Sequence, residues 1–479
     1  MFADSAPFSA ACRILRTLRE AGHEAYLAGG CVRDLLLGRE PHDYDVATSA
    51  APGQVLELFP RTFAVGAHFG VVLVATRGDA LAADAAKEES GNPPELVTEV
   101  ATFRCDGAYS DGRRPDVVRY TLSAKEDVQR RDFTINGLLL DALRAREDHR
   151  SGRDWRASVI DHVGGRADLE SCTVRAIGDA ELRFKEDHLR ILRGVRFAAR
   201  LGFTLEEKTA AAMRRLAAKT AAVSRERVRD EVTKMLTEGR ARRAFELLDQ
   251  TGLIAEVLPE IARMKGVEQP PQFHPEGDVW QHTLLLLEQL PPGCPLTLAW
   301  GALLHDVGKP PTFRRAERIR FDGHVEVGAA IAAEICRRFR FSNDDTAQIL
   351  ALVENHMRFL DAHRMKPSTL KRFFRLEGFD QHLALHKMDC LAAKGNLDTW
   401  EFVREQFAAL PAAALRPQPL ITGRDLIAAG YRPSVAFKEM LHLAEDAQLE
   451  GKIHTAEEAL QLVKKHFPLA ANTPSSLAI

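Results

Sequence analysis

The 479-residue sequence predicts an α+β protein in which a small mixed sheet with helices precedes a long all-helical part. Two observations predict this class. Before Asp141, short apolar runs such as Ala25–Ala28 and Glu95–Arg104 have the composition of strands and alternate with helical segments. From Phe184 onward, apolar residues recur at helical spacing instead. A chain of this length is expected to form two to four domains.

The composition excludes several classes of protein. Apolar residues make up 45% of the chain and charged residues 28%, as in soluble globular proteins. The formal charge is only −2, so binding of a nucleic acid would need a local basic surface. Seven scattered cysteines favour a reducing compartment over a disulfide framework. The first residues lack a signal-peptide pattern, and no run is long enough to cross a bilayer. We therefore expect a soluble cytoplasmic protein with no membrane partner.

The elements before Asp141 follow from local pattern. Residues Pro7–Gly22 predict an amphipathic helix, with Phe8, Ala11, Ile14, Leu15 and Leu18 on one face. Further along the chain we expect a short helix over Pro52–Phe59 and one or two strands over Phe63–Thr76. A polar mobile insertion is expected over Arg77–Pro94, and another strand over Val117–Leu122. A charged variable loop is expected over Ala145–Ala157.

The most informative stretch is Leu27–Ala47, LAGGCVRDLLLGREPHDYDVA. It predicts a strand, two glycines, a helix that carries Arg33 and Asp34, and a second strand that holds Asp43 and Asp45. Alternate residues of a strand point to the same face, so the two aspartates should project side by side. Like charges this close resist joint ionisation unless a cation lies between them, and paired carboxylates suit Mg²⁺.

The glycines and the arginine add a phosphate-binding character. Gly29 and Gly30 allow close approach of the backbone to a phosphate, the next helix offers free N–H groups, and Arg33 adds a fixed cation. Taken singly, a D-x-D or a G-G is more often an ordinary turn. The ordered set favours a metal-dependent nucleotidyl-transfer site. Glu99 is a candidate third carboxylate, although an exposed strand glutamate explains it equally well.

Two further segments carry arginines. Arg130 and Arg131 are expected at the start of an apolar helix, where cations oppose the helix dipole unless an anion such as a triphosphate is present; the alternative is a surface basic pair. In FKEDHLRILRGVRFAARLGF, Phe184–Phe203, a helix is expected to carry four charged residues on one face: Asp187, Arg190, Arg193 and Arg196. On charge alone this face would be a solvated salt-bridge ladder.

Together, GGCVRD followed by DYD, then RRDFTIN and the E-D-x-x-R-x-x-R-x-x-R-F pattern resemble the motifs of class II tRNA nucleotidyltransferases and bacterial poly(A) polymerases. That family has a DNA polymerase β-like catalytic head. The resemblance implies that Asp43 and Asp45 bind catalytic Mg²⁺. It implies nucleotide-binding roles for Gly29, Gly30, Arg33, Asp34, Arg131, Asp132, Asn136, Asp187, Arg190, Arg193 and Arg196.

Within that set, the resemblance implies that Asp187 and Arg190 read the incoming base. An aspartate accepts a hydrogen bond from an exocyclic amine, and an arginine donates to ring acceptors. Cytosine and adenine both carry an amine next to a ring acceptor, so one adjustable pair can accept both bases. Arg193 and Arg196 are expected nearer the phosphates.

A second constellation lies in the C-terminal half. Histidines and aspartates occur on successive apolar helices, at His282, His305, Asp306, His324, His356 and Asp389. Any one of them alone is usually a core residue, but six such groups favour a site for divalent ions. The order, with H-D followed by V-G-K, resembles an HD-type phosphohydrolase domain. Loop or core roles are expected for His274, His363, His382 and His386.

The resemblance implies how this second set works. His282, His305, Asp306 and Asp389 would bind one metal, a transition metal or Mg²⁺, and His324 with His356 would complete a second. Two outcomes stay open: hydrolysis of phosphoesters, or a structural metal module.

The resemblance covers nearly the whole chain and predicts four domains. They are a nucleotidyltransferase head (1–141), a neck for base recognition (142–266), an HD domain (267–410) and a helical tail (411–479). The expected reaction is addition of CMP and AMP from CTP and ATP to the 3′ end of tRNA. The alternatives are a poly(A) polymerase acting on another RNA 3′ end, an enzyme that adds only CC or only A, and an HD phosphohydrolase with an RNA-binding head.

Overall fold

The computed structural model describes residues 5–63, 70–77, 95–107, 117–272 and 274–469 and confirms the α+β class. The chain forms two compact units, Met1–Ala262 and Arg263–Ile479. All of the predicted insertion over 77–94 except Arg77 lies outside the described residues. Among the described residues, no helix combines the length and the apolar character that a membrane crossing needs.

The first unit is built on a mixed sheet. Seven strands of the described part pair in the order β3-β4-β5-β2-β1-β8-β9. β2 lies at the centre, antiparallel to β1 and parallel to β5. The strands of the unit are β1 (Ala25–Ala28), β2 (Val46–Thr48), β3 (Thr62–Phe63), β4 (Val71–Arg77), β5 (Glu95–Thr102), β6 (Arg104–Asp106), β7 (Val118–Tyr120), β8 (Leu138–Leu140), β9 (Val159–Asp161), β10 (Thr173–Val174) and β11 (Thr204–Leu205).

Helices pack against the sheet, and after β11 the described part of the unit contains helices but no further strand. The predicted apolar face of the first helix is confirmed, because Phe8, Ala11, Ile14, Leu15 and Leu18 are all buried. The helices of this unit are α1 (Ala6–Glu20), α2 (Gly30–Leu36), α3 (Pro52–Leu58), α4 (Ala124–Gln129), α5 (Ala142–Arg150), α6 (Gly165–Glu170), α7 (Ala180–Glu186), α8 (Leu189–Leu201), α9 (Glu207–Leu216), α10 (Arg225–Thr237), α11 (Ala241–Gln250), α12 (Leu253–Val257) and α13 (Pro259–Ala262).

The second unit is helical apart from a short ribbon of β12 (Arg314–Arg315) and β13 (Ile319–Arg320) among its described residues. Its last helices enclose a hydrophobic cluster of their own that runs from Ile421 to Val463. The helices are α14 (Val279–Glu288), α15 (Leu296–Leu304), α16 (Lys309–Thr312), α17 (His324–Arg338), α18 (Asn343–Asn355), α19 (Pro367–Phe373), α20 (Phe379–Ala392), α21 (Asp398–Ala408), α22 (Ala412–Leu415), α23 (Gly423–Ala428), α24 (Ala436–Leu449) and α25 (Ala456–His466).

Several local expectations were wrong. Asp43 and Asp45 precede a strand instead of lying in it, since β2 begins at Val46; only the Asp45 carbonyl joins the pairing, accepting from the Ala28 N–H at 3.0 Å. The segment Ala145–Ala157 is mostly the end of α5 and a 3₁₀ turn, not a loop. Separately, β9, which follows residue 141 in the chain, pairs with β8 of the same sheet. The four domain limits stay predictions.

The two arginine segments also differ from expectation. Arg130 is the residue that ends α4, and Arg131 follows it, so neither opens a helix. At that end the helix dipole favours cations, and the inference of an anion from the dipole was therefore wrong. The expected single helix over Phe184–Phe203 is two helices that break at Asp187, whose side chain accepts from the Leu189 N–H at 3.1 Å.

The glycine of the H-D-V-G-K segment has a packing reason. A Cβ added to Gly308 would lie 2.0 Å from the carbonyl oxygen of His324 and 2.6 Å from the backbone nitrogen of Gly328. Both contacts are with backbone of α17, which cannot move aside as a side chain can. Gly308 therefore lets the loop after α15 lie directly against the start of α17.

Substitution of Gly308 by alanine tests this close approach. We expect Gly308→Ala to destabilise the second unit by roughly 1–3 kcal/mol, as overpacking does. Urea unfolding followed by fluorescence of the buried Trp280 and Trp300 would measure the change. Gly423→Ala is the control, because a Cβ there would meet only a Phe437 ring carbon at 3.8 Å. Equal stability of the two variants would contradict the packing role of Gly308.

Candidate functional sites

The first unit contains a cleft of about 750 Å³ that collects most of the residues predicted for nucleotide chemistry. Asp34 is the one predicted residue that does not line it. Residues that line the cleft and were predicted are Gly29, Gly30, Arg33, Asp43, Asp45, Arg131, Asp132, Asn136, Asp187, Arg190, Arg193 and Arg196. Residues that line it but were not assigned to it are Arg130, Leu189, Phe197, Arg200, Arg227 and Lys234.

Three carboxylates that line the cleft act on one another electrostatically. They are Asp43, Asp45 and the candidate third carboxylate, Glu99. Burial and then the Glu99 charge raise the pKa of Asp45 to about 6, while Arg131 acts against the rise. A carboxylate whose pKa is raised by burial and by neighbouring carboxylates is stabilised in its ionised form by a nearby cation. Hard oxygen donors around one point fit Mg²⁺.

Gly29 has an unusual backbone conformation and lies close to the side chain of Arg131. It has φ = +76°, which glycine adopts without strain, and it immediately precedes α2. A Cβ at this position would lie 3.0 Å from Nη1 of Arg131. The first glycine of the G-G pair therefore leaves room for the Arg131 guanidinium.

Arg33 and Arg193 are the two ends of one hydrogen-bonded chain. Arg33, almost fully buried, donates from Nη1 to Oδ1 of Asn136 at 2.6 Å. Asn136 donates from Nδ2 to Oδ1 of Asp132 at 3.1 Å, and Asp132 Oδ2 accepts from Nε of Arg193 at 2.8 Å. We call these four residues the cleft network. It joins α2, the 130–136 segment and α8.

Asp34 supports the cleft network from outside the cleft. Its Oδ1 accepts from Nε of Arg33 at 2.8 Å. Burial lowers the pKa of Arg33, and the Asp34 carboxylate counteracts this. Asp34 therefore orients Arg33, and its predicted place at the nucleotide itself finds no support in the residues that line the cleft.

The wall formed by α8 concentrates guanidinium groups around one ring. The guanidinium carbons of Arg33, Arg193 and Arg196 lie 5.4, 5.2 and 4.5 Å from the Phe197 ring centre. Arg196 also donates from Nε to the buried Glu231 of α10 at 2.7 Å. Cation–π contacts and the carboxylate hold these cations in place before any ligand binds.

The two residues predicted to read the base both line the cleft, and each has another partner. Asp187 accepts from Nη2 of Arg227 at 2.8 Å. Arg190 donates to Glu186 at 2.5 Å and to the Arg130 carbonyl at 3.0 Å. Arg227 belongs to α10 and was not among the residues predicted for the site. Its contact with Asp187 depends on folding and left no local signal.

Overall, the cleft is cationic in a chain with a formal charge of −2. Nine arginine and lysine side chains line it, against five carboxylates. Because the chain as a whole is nearly neutral, binding of a nucleic acid needs a local basic surface. This cleft is such a surface.

The second unit brings together all six residues of the predicted histidine–aspartate set. We call this set the HD cluster. Asp306 lies at its centre: His305 Nε2 is 3.1 Å from Oδ2, His356 Nε2 3.8 Å from Oδ1, and His324 Nε2 4.0 Å from Oδ1. His282 Nε2 lies 3.0 Å from Oδ1 of Asp389 and 3.9 Å from Oδ2 of Asp306.

The histidines of the HD cluster all direct Nε2 toward Asp306. Nδ1 is held by the Ala302 carbonyl in His305 (2.8 Å), by the Phe321 carbonyl in His324 (3.0 Å) and by the Val353 carbonyl in His356 (2.7 Å). A carbonyl accepts only from N–H, so Nδ1 carries the proton and Nε2 keeps its lone pair. Histidines that bind metals are oriented in this way.

The donor set fits divalent ions. Among the described residues, the buried Nε2 atoms of His282, His305, His324 and His356 have no hydrogen-bond partner of good geometry. Three groups within the described part of the chain are compact enough to hold an ion, and two of them share Asp306: one with His282 and His305, the other with His324 and His356. Burial raises the pKa of Asp306, but His305 and Lys309 keep it well below its ordinary value.

A cavity of about 510 Å³ opens onto the HD cluster. Its walls include the apolar side chains of Phe321, Met357 and Leu360, and the ammonium group of Lys309 lies 2.7 Å from Asp306. Of the histidines expected in loop or core roles, His382 is buried and His363 is exposed against Phe402, whereas His274 and His386 line this cavity.

Family comparisons divide the chain into three matched segments. Residues 25–175 match the "Poly A polymerase head domain", residues 202–265 the "Probable RNA and SrmB- binding site of polymerase A", and residues 278–383 the "HD domain".

Curated relatives match over more than half of the chain. The chain is 38% identical over 285 residues to a CCA-adding enzyme of Lactobacillus johnsonii, covering 59% of this chain and 64% of the relative. It is 41% identical over 256 residues to a CCA-adding enzyme of Geobacillus kaustophilus, covering 53% and 56%. The matched segment thus spans less than two thirds of each of these relatives.

Solved structures resemble the chain over most of its length. The Bacillus stearothermophilus CCA-adding enzyme in complex with CTP has a TM-score of 0.70 at 26% identity, covering 96% of this chain and 98% of that one. A Thermotoga maritima CCA-adding enzyme complexed with tRNA has a TM-score of 0.54 at 18% identity, covering 96% and 95%, and shows likeness of fold alone.

The Asp132–Arg193 pair makes stability depend on pH. Burial raises the pKa of Asp132, but Arg193 and the Asn136 amide outweigh it and bring the pKa to about 2, below its unfolded value. A depressed carboxylate pKa stabilises the fold above the unfolded pKa and loses this effect as the pH falls through the folded one. We expect Asp132→Asn to cost about 2 kcal/mol at pH 7 and progressively less below about pH 4.

Calorimetry from pH 7 to pH 3 would measure this difference from the wild type. The exposed Asp230→Asn is the control, since its carboxylate pairs only with the adjacent Arg229. A difference that stays constant, or grows, as the pH falls would contradict the assignment.

Proposed function

We propose that this chain, which belongs to the family of class II tRNA nucleotidyltransferases and bacterial poly(A) polymerases, adds CMP and AMP to the 3′ end of tRNA from CTP and ATP. The observation that carries the proposal is the cleft of the first unit. Carboxylates and arginines held in fixed positions line it together. The curated relatives named CCA-adding enzymes, and the structure of one with CTP, support the choice of substrates.

In the proposed reaction, the 3′-hydroxyl oxygen of the RNA attacks the α-phosphorus of the nucleotide. A new P–O bond forms, the bond to the β-phosphate oxygen breaks, and pyrophosphate leaves. Asp43 and Asp45, with Glu99 as a third carboxylate, would hold Mg²⁺ ions, which when bound favour the ionised hydroxyl and neutralise charge on the phosphates.

The arginines of the cleft would bind the triphosphate. Arg33 and Arg193 already have fixed orientations because the cleft network ties them to Asn136 and Asp132. Arg131 is held by Asp127 at 3.0 Å and lies next to Gly29. Charged donors that need no rearrangement stabilise the transferring phosphates more effectively than mobile ones.

Asp187 and Arg190 would read the base. Arg227 fixes the Asp187 carboxylate through two hydrogen bonds, at 2.8 and 3.2 Å, and the carboxylate retains lone pairs for an exocyclic amine. Arg190 uses its terminal nitrogens for Glu186 and two backbone carbonyls and still has N–H groups to donate. A pair positioned by neighbours, and not by each other, can adjust to cytosine and adenine.

The alternatives differ in what the cleft would extend. A poly(A) polymerase, or an enzyme that adds only CC or only A, would use the same residues. A phosphohydrolase with an RNA-binding head would not need a group of carboxylates in this cleft, so the presence of Asp43, Asp45 and Glu99 in its lining favours transfer. A cytoplasmic location suits a tRNA substrate and the seven free cysteines.

A second proposed activity, hydrolysis of phosphoesters, belongs to the HD cluster. His282, His305, Asp306 and Asp389 would bind one divalent ion, Mg²⁺ or a transition metal, and His324, His356 and Asp306 a second. Bound ions of this kind supply a hydroxide nucleophile at neutral pH. Lys309, next to Asp306 on the cavity wall, would attract the phosphate. The favouring observation is that four buried Nε2 atoms face two carboxylates beside an open cavity, which a purely structural module would not require.

Neutralising the cleft carboxylates tests nucleotidyl transfer. We expect Asp43→Asn and Asp45→Asn each to lower incorporation of labelled CMP into a tRNA transcript at least about a hundredfold, because the Mg²⁺ ligands lose their charge. Glu147→Gln, an exposed change on α5, should leave the rate unchanged. Thermal unfolding of each variant would check that the fold persists. Wild-type incorporation by the Asp43 and Asp45 double variant would refute the proposal.

Changing Asp306 separates the two proposed activities. We expect Asp306→Asn to reduce metal-stimulated hydrolysis of bis(p-nitrophenyl) phosphate at least about a hundredfold and to leave CMP incorporation intact. The exposed His363→Gln should retain both activities. If Asp306→Asn removed both activities while the protein stayed folded, separate sites would be excluded.

A further inference from the structure

A carboxylate outside the predicted set holds one histidine of the HD cluster. The Nδ1 atoms of His305, His324 and His356 are anchored on backbone carbonyls. His282 differs, because its Nδ1 lies 2.7 Å from Oε1 of Glu276. Both side chains are buried: the ring of His282 is fully inaccessible, and the Glu276 side chain is 6% exposed.

The same oxygen has a second imidazole partner. Nδ1 of His274 lies 2.8 Å from Oε1 of Glu276, and the rings of His274 and His282 meet edge to face with centres 5.0 Å apart. An ionised carboxylate only accepts hydrogen bonds, so both Nδ1 atoms carry protons and Nε2 is the nitrogen that each ring can offer to a metal. Nε2 of His282 faces Asp306 and Asp389, and His274 lines the cavity.

We propose that Glu276 is a positioning residue that fixes the tautomer and orientation of His282 for metal binding and holds His274 at the wall of the cavity. This inference rests on the proposed metal-dependent function of the HD cluster. A charged acceptor behind an imidazole increases the electron density at its other nitrogen more than a neutral carbonyl does. His282 is therefore the strongest nitrogen donor of the cluster. Removal of Glu276 lowers the affinity for the metal ion that His282 binds.

The geometry favours this role over a further ion at the same place. His274, Glu276 and His282 are close enough together to hold a metal. The separations of 2.7 and 2.8 Å, however, are those of N–H···O hydrogen bonds to a charged acceptor. An ion between Glu276 and His282 would have to displace the Nδ1 proton that His282 donates to Glu276.

Metal affinity gives a direct test that does not depend on hydrolysis. The full-length protein, freed of metal with a chelator, would be titrated with Mn²⁺ in equilibrium dialysis and the bound metal counted by mass spectrometry. We expect Glu276→Ala to weaken the affinity of one Mn²⁺ by about 10- to 100-fold. Glu276→Gln should cause a smaller loss, because an amide oxygen can still accept from His282 but carries no charge.

Two further variants calibrate the result. His274→Gln should weaken affinity less than Glu276→Ala does, since the bond between Glu276 and His282 remains. The exposed His363→Gln should bind Mn²⁺ as the wild type does. At saturating Mn²⁺, all variants should bind the same number of ions, and their melting temperatures in chelator should match the wild type.

Three results would overturn the inference. Unchanged affinity in both Glu276 variants would show that the carboxylate does not support His282. Loss of a whole ion at saturation would show that Glu276 is itself a ligand. A Glu276→Gln variant that binds metal normally but melts lower in chelator would show a structural role alone. By contrast, a wild type that binds no divalent ion would refute the proposed hydrolytic function and not merely this role.

Discussion

The hydrogen-bonded chain from Arg33 through Asn136 and Asp132 to Arg193 is the contact on which the rest of the cleft depends. It ties together α2, the turn that follows α4, and α8, which contributes Arg193, Arg196 and other residues to the cleft lining. Arginines brought this close to one another repel, and buried charges need compensating partners. Asp132 supplies such a partner within the chain. The cations therefore stay oriented toward the cleft, where a triphosphate can bind them without rearrangement.

The two proposed sites solve related electrostatic problems with different ligands. In the first unit, carboxylates crowd one another and the pKa of Asp45 rises, which favours a hard cation. In the second unit, one carboxylate, Asp306, is surrounded by histidines and Lys309, and its pKa falls. Oxygen donors suit Mg²⁺, whereas mixed nitrogen and oxygen donors suit transition metals as well. This difference supports two chemistries, nucleotidyl transfer and phosphoester hydrolysis, in one chain.

The residues of both sites were predictable from the sequence to a greater extent than the secondary structure that carries them. The strand at Ala25–Ala28, the apolar face of α1 and the assembly of the HD cluster followed from periodicity and motif order. The break at Asp187 did not, because Asp187 pairs with Arg227 forty residues away. The helix end at Arg130 did not follow either, although the contacts of Arg130 and Arg131 with Asp127 are local. Arg227 gave no local signal, because its partner is distant in the sequence. Glu276 and His274 lie close to His282 in the sequence, but their contacts with each other and with His282 do not follow a helical or strand periodicity.

Extension of tRNA transcripts tests the central claim most directly. Transcripts that end before CCA, after C and after CC would each be incubated with CTP, ATP or both in the presence of Mg²⁺. The account predicts stepwise growth of each transcript to CCA and then arrest. Addition of CC without A, or of A only after CC, would show a split specificity. An A ladder of indefinite length on any RNA would indicate a poly(A) polymerase, and no addition to any transcript would contradict the proposed reaction.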